Sequence, residues 1–297
     1  MLLANSNQNN MKATILTMAI TLSLTMSEAQ HFSKPLQAIV DAERQFARIS
    51  KETNTVNAFI SSLSPTAIFM IQAEEVNAME SWKKHEADES LLFWEPEFAD
   101  IASSEDFGYT TGPYAYYGNR KDTVAAFRGY YSSVWGKEAN GEWKVLFDLG
   151  SGLSTEKSLP ISTSQIKLKG KKSKQDKTAA LEDLLKFDKS YVEALSATNK
   201  SFDPALFSVE GRIHRPRQLP IIGLEKVKLF KEENQKFEQT TLNGKIASSC
   251  DMGYTYGKAT VRLNKDGSES VLNLSYFRIW KREDGIHWKI VLDVIGQ

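Results

Sequence analysis

Two carboxylates stand where apolar side chains belong. Leu36, Ile39, Val40, Phe46 and Ala47 recur at the spacing of one helical face, and Glu43 interrupts them. Leu181, Leu184, Leu185, Tyr191, Val192 and Leu195 repeat that face, interrupted by Asp188. An ionised carboxylate facing a core is very costly unless it is paired. Each is therefore either a pocket acid of raised pKa or a structural carboxylate held by a backbone amide or an indole N–H. Asp106 and Asp251, each three residues before Tyr109 or Tyr254, are the next candidates for acid/base work. Strand alternation puts each Asp and its Tyr on opposite faces, so the two members of one motif should not act together. Asp148 and Asp293 close the last strand of each half and could line a rim. His214, between Arg212 and Arg215, is the most reactive-looking group and can serve as acid, base or packed polar residue. Trp94 is a candidate ligand contact because its counterpart, Gln239, is not aromatic. No two histidines have metal-ligand spacing, and no Gly-x-Ser-x-Gly elbow or phosphate-binding glycine loop is present, so metal, hydrolase and nucleotide chemistry lack support.

These residues recur because the chain is duplicated. Ser103-Ser104-Glu105-Asp106-Phe107-Gly108-Tyr109-Thr110-Thr111-Gly112 returns as Ser248-Ser249-Cys250-Asp251-Met252-Gly253-Tyr254-Thr255-Tyr256-Gly257, an offset of 145. The same offset relates Trp135 to Trp280, Trp143 to Trp288 and Asp148 to Asp293. Such a period is far longer than that of a solenoid or propeller, so it marks two whole domains.

Each half opens with the interrupted helix; the first begins near Pro35, which suits a first helical turn. Glu74 to Glu89 reads as a polar helix. Leu224 to Gln235 reads as a second helix with Val227 and Phe230 inward. Each half then turns to strands. The duplicated stretch reads as one of them, with Cys250 inside it, and Asn140-Gly141 and Asp284-Gly285 mark the hairpins before the last strand. In that strand Trp143, Val145, Phe147 and Leu149 alternate with more polar residues, which suits a sheet packed on helices along one side.

Residues 1–29 read as an export signal: Met11-Lys12, an apolar run from Ala13 to Met26, and Ser27-Glu28-Ala29 at the cleavage site. The run is too short to span a bilayer, and the expected address is periplasmic or secreted. Residues 30–150 make the first domain, 151–178 a Lys-rich linker and 179–297 the second domain. Thirty-seven basic and thirty-seven acidic residues balance, so nothing global favours nucleic acid. Cys250 is the only cysteine, so no disulfide closes within the chain.

Trp94-Glu95-Pro96-Glu97-Phe98 leading into the first duplicated stretch, followed by Val134-Trp135 and Gly141-Glu142-Trp143-Lys144-Val145-Leu146-Phe147-Asp148, resembles the SnoaL-like, ketosteroid-isomerase-like branch of the nuclear transport factor 2 superfamily. Arg215-Pro216 with Gly223-Leu224-Glu225 is similar to that branch's segment between strand and helix, which the first half lacks. Where the branch usually carries Gly before its Asp, this chain has Glu105 and Cys250. The resemblance implies an α+β fold, two tandem cone-shaped domains, each a curved antiparallel sheet wrapped on helices, a cystatin-like α+β roll. It also implies a pocket at the open end of each cone and an intrachain pseudo-dimer of the two halves. Because that fold hosts many functions, the expected function is binding of a small apolar molecule in a cone. The alternatives are an isomerase- or dehydratase-like acid/base enzyme sited in the second half, and a structural or interaction module. The candidate catalytic residues are Asp188, His214 and Asp251. The candidate ligand contacts are Trp94, Tyr109, Arg212, His214 and Tyr254. No cofactor and no metal is expected.

Overall fold

The computed structural model describes residues 33–153, 175–232, 235–265 and 268–296. The export signal read at 1–29 and most of the linker read at 151–178 lie outside them. The first half comprises α1 (Lys34–Glu52), α2 (Thr55–Ser62), β1 (Leu63–Ile71), β2 (Glu74–Asn77), α3 (Ala78–Trp82), β3 (Leu91–Trp94), β4 (Phe98–Ile101), β5 (Phe107–Tyr117), β6 (Phe127–Lys137) and β7 (Trp143–Leu153). The second comprises α4 (Lys177–Thr198), a 3-10 turn (Pro204–Leu206), β8 (Phe207–His214), β9 (Ile221–Ile222), α5 (Leu224–Leu229), β10 (Gln235–Ile246), β11 (Met252–Lys265), β12 (Ser268–Arg282) and β13 (Trp288–Gly296).

Both halves build one curved sheet in the same order. The first runs β2-β1-β7-β6-β5-β3, with β4 also on β5; the second runs β10-β11-β12-β13-β8-β9. The duplication thus extends through the strand-to-helix segment, which the first half keeps as β2 and α3 in place of the absent motif. The sheets are antiparallel except for one parallel pair each, β1 with β7 and β8 with β13. Those pairs arise because the chain returns to its first strand only after the whole hairpin run.

Three local expectations give way. Glu74 to Glu89 is a short strand and a one-turn helix, because Asn77 caps α3 through its side chain and the acidic run beyond has no apolar face to bury. The helix from Leu224 stops at Leu229, with Val227 buried and Phe230 half-buried. The duplicated stretch is not one strand: residues 102–106 are a tight turn between β4 and β5, and residues 247–251 its counterpart. Glu105 and Cys250 sit in these turns at φ 58° and 56°, the left-handed region that favours glycine.

The helices cover one face of each sheet. On the first, α1 buries Ile39 and Phe46 against Trp94, Tyr131, Trp135 and Val145. On the second, α4 buries Leu184, Tyr191 and Leu195 against Ile213, Trp280 and Ile290. The opposite faces share a single core: Phe98, Tyr109, Val134, Phe147 and Leu149 pack with Tyr254, Tyr256, Phe277, Ile279 and Val294. Phe147 stacks on Phe277 at 4.9 Å. The contact leaves no room at Gly296, where an added Cβ would stand 1.9 Å from the Gly150 carbonyl oxygen. A buried ion pair, Lys281 to Asp100 at 2.6 Å, also crosses between the sheets.

Simple alternation fails along the last strand. The β6–β7 register slips between Val134 and Trp135, so Val134 faces Phe147 while Trp135 faces Val145. The extra residue is a bulge, which re-aims the side chains beyond it. Val145 therefore packs under the helices, whereas Phe147 and Leu149 join the core between the sheets. The same slip recurs between Ile279 and Trp280 against β13. Past the bulge, Asp148 points to the helix side.

Candidate functional site

The cone of the first half is open. It holds a cavity of about 530 Å³ lined by the rings of Phe46, Trp94, Tyr114, Tyr116, Phe127 and Tyr131, with Asp148 and Gly150. That volume lies within the range of small-molecule sites, and the lining has their usual make-up, apolar walls with few polar groups. Among the described residues, Asp148 is the only carboxylate in the lining. It accepts a hydrogen bond from Ser133 Oγ at 2.5 Å. Burial, with the nearby Glu43 charge adding to it, raises its carboxyl to about 7, against that one opposing hydrogen bond. The Tyr131 hydroxyl is buried, with the Thr110 side chain beside it. Burial first, then the Glu43 charge, hold this phenol well above its ordinary pKa, with only Thr110 acting the other way, so it remains a neutral donor.

Beneath the cavity lies Glu43, fully buried on α1. It accepts from the indole N–H groups of Trp94 at 2.5 Å and Trp135 at 2.9 Å, and from the Thr110 hydroxyl. Burial raises its pKa; these hydrogen bonds work against the shift. The helical-stripe anomaly is thus satisfied by indole N–H groups, one of the two arrangements the sequence allowed.

The base of the second cone is filled. Arg278 stands at the repeat position of Ser133, and its side chain is fully buried. Its guanidinium donates to Asp293 at 2.9 Å, to Asp188 at 3.2 Å and to Gln239. Its centre lies 4.3 Å over the Tyr276 ring and 4.9 Å over the Tyr191 ring. Asp188 also accepts from Thr241 and Tyr276, each at 2.6 Å. Asp293 takes a second cation, Arg215, at 2.9 Å, and these charges hold its carboxyl below the ordinary range despite burial. Asp188, a candidate acid by sequence, is therefore tied into an ion-pair network. A hollow of about 320 Å³ remains beside Arg215, Glu232 and Phe237.

The structure disperses the other candidates. Trp94 lines the first cavity. Tyr109 and Tyr254 lie in the core between the sheets, not in a cone, because their strands turn that face to the other half. Arg212 is buried with its guanidinium 4.0 Å over the Phe98 ring of the first half. His214 packs edge-on against Tyr130 at 5.3 Å. Among the described residues, neither ring nitrogen of His214 has a hydrogen-bond partner, and burial, aided by Arg212 and Arg215, lowers its pKa to about 3, so it stays neutral. Asp251 belongs to the junction of the two turns. Its carboxylate accepts from Ser103 N–H at 3.1 Å and from the hydroxyls of Ser103 and Ser249. Ser104 and Ser249 exchange N–H to Oγ bonds at 3.1 Å in both directions. The duplicated motif is thus the seam of the two halves. Cys250 is buried in the same turn, and burial raises its thiol pKa.

Sequence reasoning placed Asp148 only at a rim and did not single out Tyr131. The signal for both was Ser133 opposite Arg278: a small residue in one copy where the other carries a long cation. Among the described residues, no group of three or more His, Cys, Asp or Glu side chains is arranged to hold a metal ion. Among them too, no helix is long and apolar enough to cross a membrane.

No protein-family profile matches the chain, and no curated protein matches it. Solved structures do match. A ketosteroid isomerase-like protein from Erwinia carotovora atroseptica aligns with 41% of this chain and 99% of its own, at 13% identity and a TM-score of 0.32. An NTF-2-like protein of unknown function from Shewanella oneidensis covers 39% and 98%, at 16% identity and a TM-score of 0.32. An NTF2-like protein from Cytophaga hutchinsonii covers 41% and 100%, at 18% identity and a TM-score of 0.31. The likeness is one of fold. Each of these proteins corresponds in length to about one half of the duplicated chain.

Proposed function

We propose that this chain binds a small molecule with a largely apolar body in the cone of its first half. The observation that carries the reading is the open aromatic cavity with one carboxylate, Asp148, among its described lining residues. A polar group of the ligand would meet Asp148 there while its apolar body meets the rings. The second half, with Arg278 in its cone, serves as the structural partner in an intrachain pseudo-dimer. The shared core and the interlocked serine turns support that arrangement. The export-signal-like N-terminus supports a periplasmic or secreted address.

A second reading is favoured by one feature. A carboxyl raised to about 7 in an apolar site is poised to give or take a proton near neutral pH. This favours an acid/base reading sited in the first half, not in the second as the sequence suggested, with Asp148 as the proton-transfer group.

The test is NMR titration with 2-naphthol, a neutral probe of suitable size. Saturable shifts confined to Trp94, Tyr131 and Gly150 and their neighbours are expected. Shifts elsewhere, or none at millimolar probe, would overturn the binding reading.

A further inference from the structure

The duplication supplies an internal comparison. The same scaffold occurs twice, and in one copy the cone is occupied by a side chain of the protein itself. The Arg278 guanidinium lies between Asp188 and Asp293, over the rings of Tyr191 and Tyr276, with Gln239 completing its donors. Carried back by 145 residues, these five neighbours are Glu43, Asp148, Phe46, Tyr131 and Trp94. Four of them line the open cavity, and Glu43 is bonded to one of those four, Trp94. The strand registers agree with the correspondence, since Ser133 pairs with Asp148 as Arg278 pairs with Asp293.

The first cone thus keeps both carboxylates and the aromatic faces but has lost the cation. Ser133 ends at a hydroxyl spent on Asp148. Among the described residues, neither Glu43 nor Asp148 has an ion-pair partner. Two acids grouped in an apolar site without a counter-charge are costly. Aromatic rings beside a carboxylate are the usual surroundings of a bound organic cation.

We propose that the first cone takes an organic cation, a guanidinium or ammonium group on an apolar body, seated against Asp148, Tyr131 and Trp94 as the Arg278 guanidinium is seated in the second cone. The inference rests on the first cone being a binding site. It adds the charge of what is bound. Asp148 supplies the ion pair, and the ring faces of Trp94 and Phe46 supply the walls. Glu43 adds negative potential from below.

The experiment compares phenylguanidine with phenylurea, a neutral molecule of nearly the same shape, by calorimetry and NMR. One charge-assisted hydrogen bond at a partly buried site corresponds to roughly tenfold or more in affinity. Phenylguanidine is therefore expected to bind at least about tenfold tighter than phenylurea at pH 8. The preference should shrink toward pH 5.5, as Asp148, raised to about 7, takes up a proton. The other titratable groups facing Asp148 are Glu43 from α1, Tyr131 from β6 and Tyr114 from β5, and none of them supplies a compensating positive charge. The preference should vanish in Asp148→Asn. Ser133→Arg, which copies the second cone, should abolish binding of both probes; Asp148→Asn and the wild-type pair of probes decide the matter if that variant does not fold. Equal affinities, or a preference for the urea, would overturn the cation inference while leaving the cavity reading intact, provided 2-naphthol binds. Failure of all three probes would overturn both.

Discussion

Asp251 should matter more to stability than its repeat partner Asp106, although the two occupy the same place in the motif. Asp251 is fully buried and receives the Ser103 N–H at 3.1 Å together with two serine hydroxyls. Asp106 is half-buried and receives the Ser104 hydroxyl at 2.5 Å and a longer bond from Ser248 N–H at 3.4 Å. Hydrogen bonds to a charged acceptor contribute about 1.5–3 kcal/mol each, and those sharing one carboxylate do not add in full. Asp251→Ala should therefore cost about 3–5 kcal/mol. At the half-exposed Asp106, solvent replaces part of what is lost, and Asp106→Ala should cost about 1 kcal/mol. Urea melts of the two variants, followed by tryptophan fluorescence and circular dichroism, measure the difference. Because the seam joins the halves, Asp251→Ala should also separate the transitions seen by the two probes. Equal losses for the two variants would refute the assignment of Asp251 as the buried anchor of the seam.

Three further outcomes are expected. Glu105→Gly should raise stability by about 0.5 kcal/mol in a thermal melt, because relief of the left-handed backbone outweighs the added freedom of the unfolded chain; a loss would refute strain at that turn. His214 stays neutral in the folded protein down to about 3, whereas the unfolded chain takes up that proton near 6.5. Stability is then lost as pH falls from 6.5 toward 3, by about 3 kcal/mol at pH 4. His214→Phe should flatten that part of the stability–pH curve, and an unchanged slope would count against the assignment. For Asp148 the sign is opposite. An acid raised to about 7 in the fold from an ordinary 3.8 binds its proton more tightly when folded, so stability declines as pH rises from 3.8 to 7 and is level above. Asp148→Asn should remove that decline, and carbon-detected NMR of the Asp148 carboxyl should show a midpoint near neutrality.

Much of the architecture was legible because duplication is a sequence property. Rare residues at one offset need no structure to be recognised, and the helical stripes named Glu43 and Asp188 as buried carboxylates. Hairpins were legible from Asn140-Gly141 and Asp284-Gly285, since their glycines meet a backbone demand, with φ of 87° and 82°. The site was less legible, for two physical reasons. A β-bulge adds one residue without any sequence mark of its own, and everything beyond it changes face; Asp148 points into the cone for that reason alone. The partner of a buried charge is also chosen by packing across the chain. Only the tertiary structure decided that Glu43 meets two indoles while Asp188 meets Arg278, and that Tyr109, Arg212, His214 and Asp251 serve the junction of the halves. The sequence by itself determined two copies of one scaffold. Which copy keeps the wider cavity was decided in three dimensions, where one long cation fills the base of a cone that one serine leaves open.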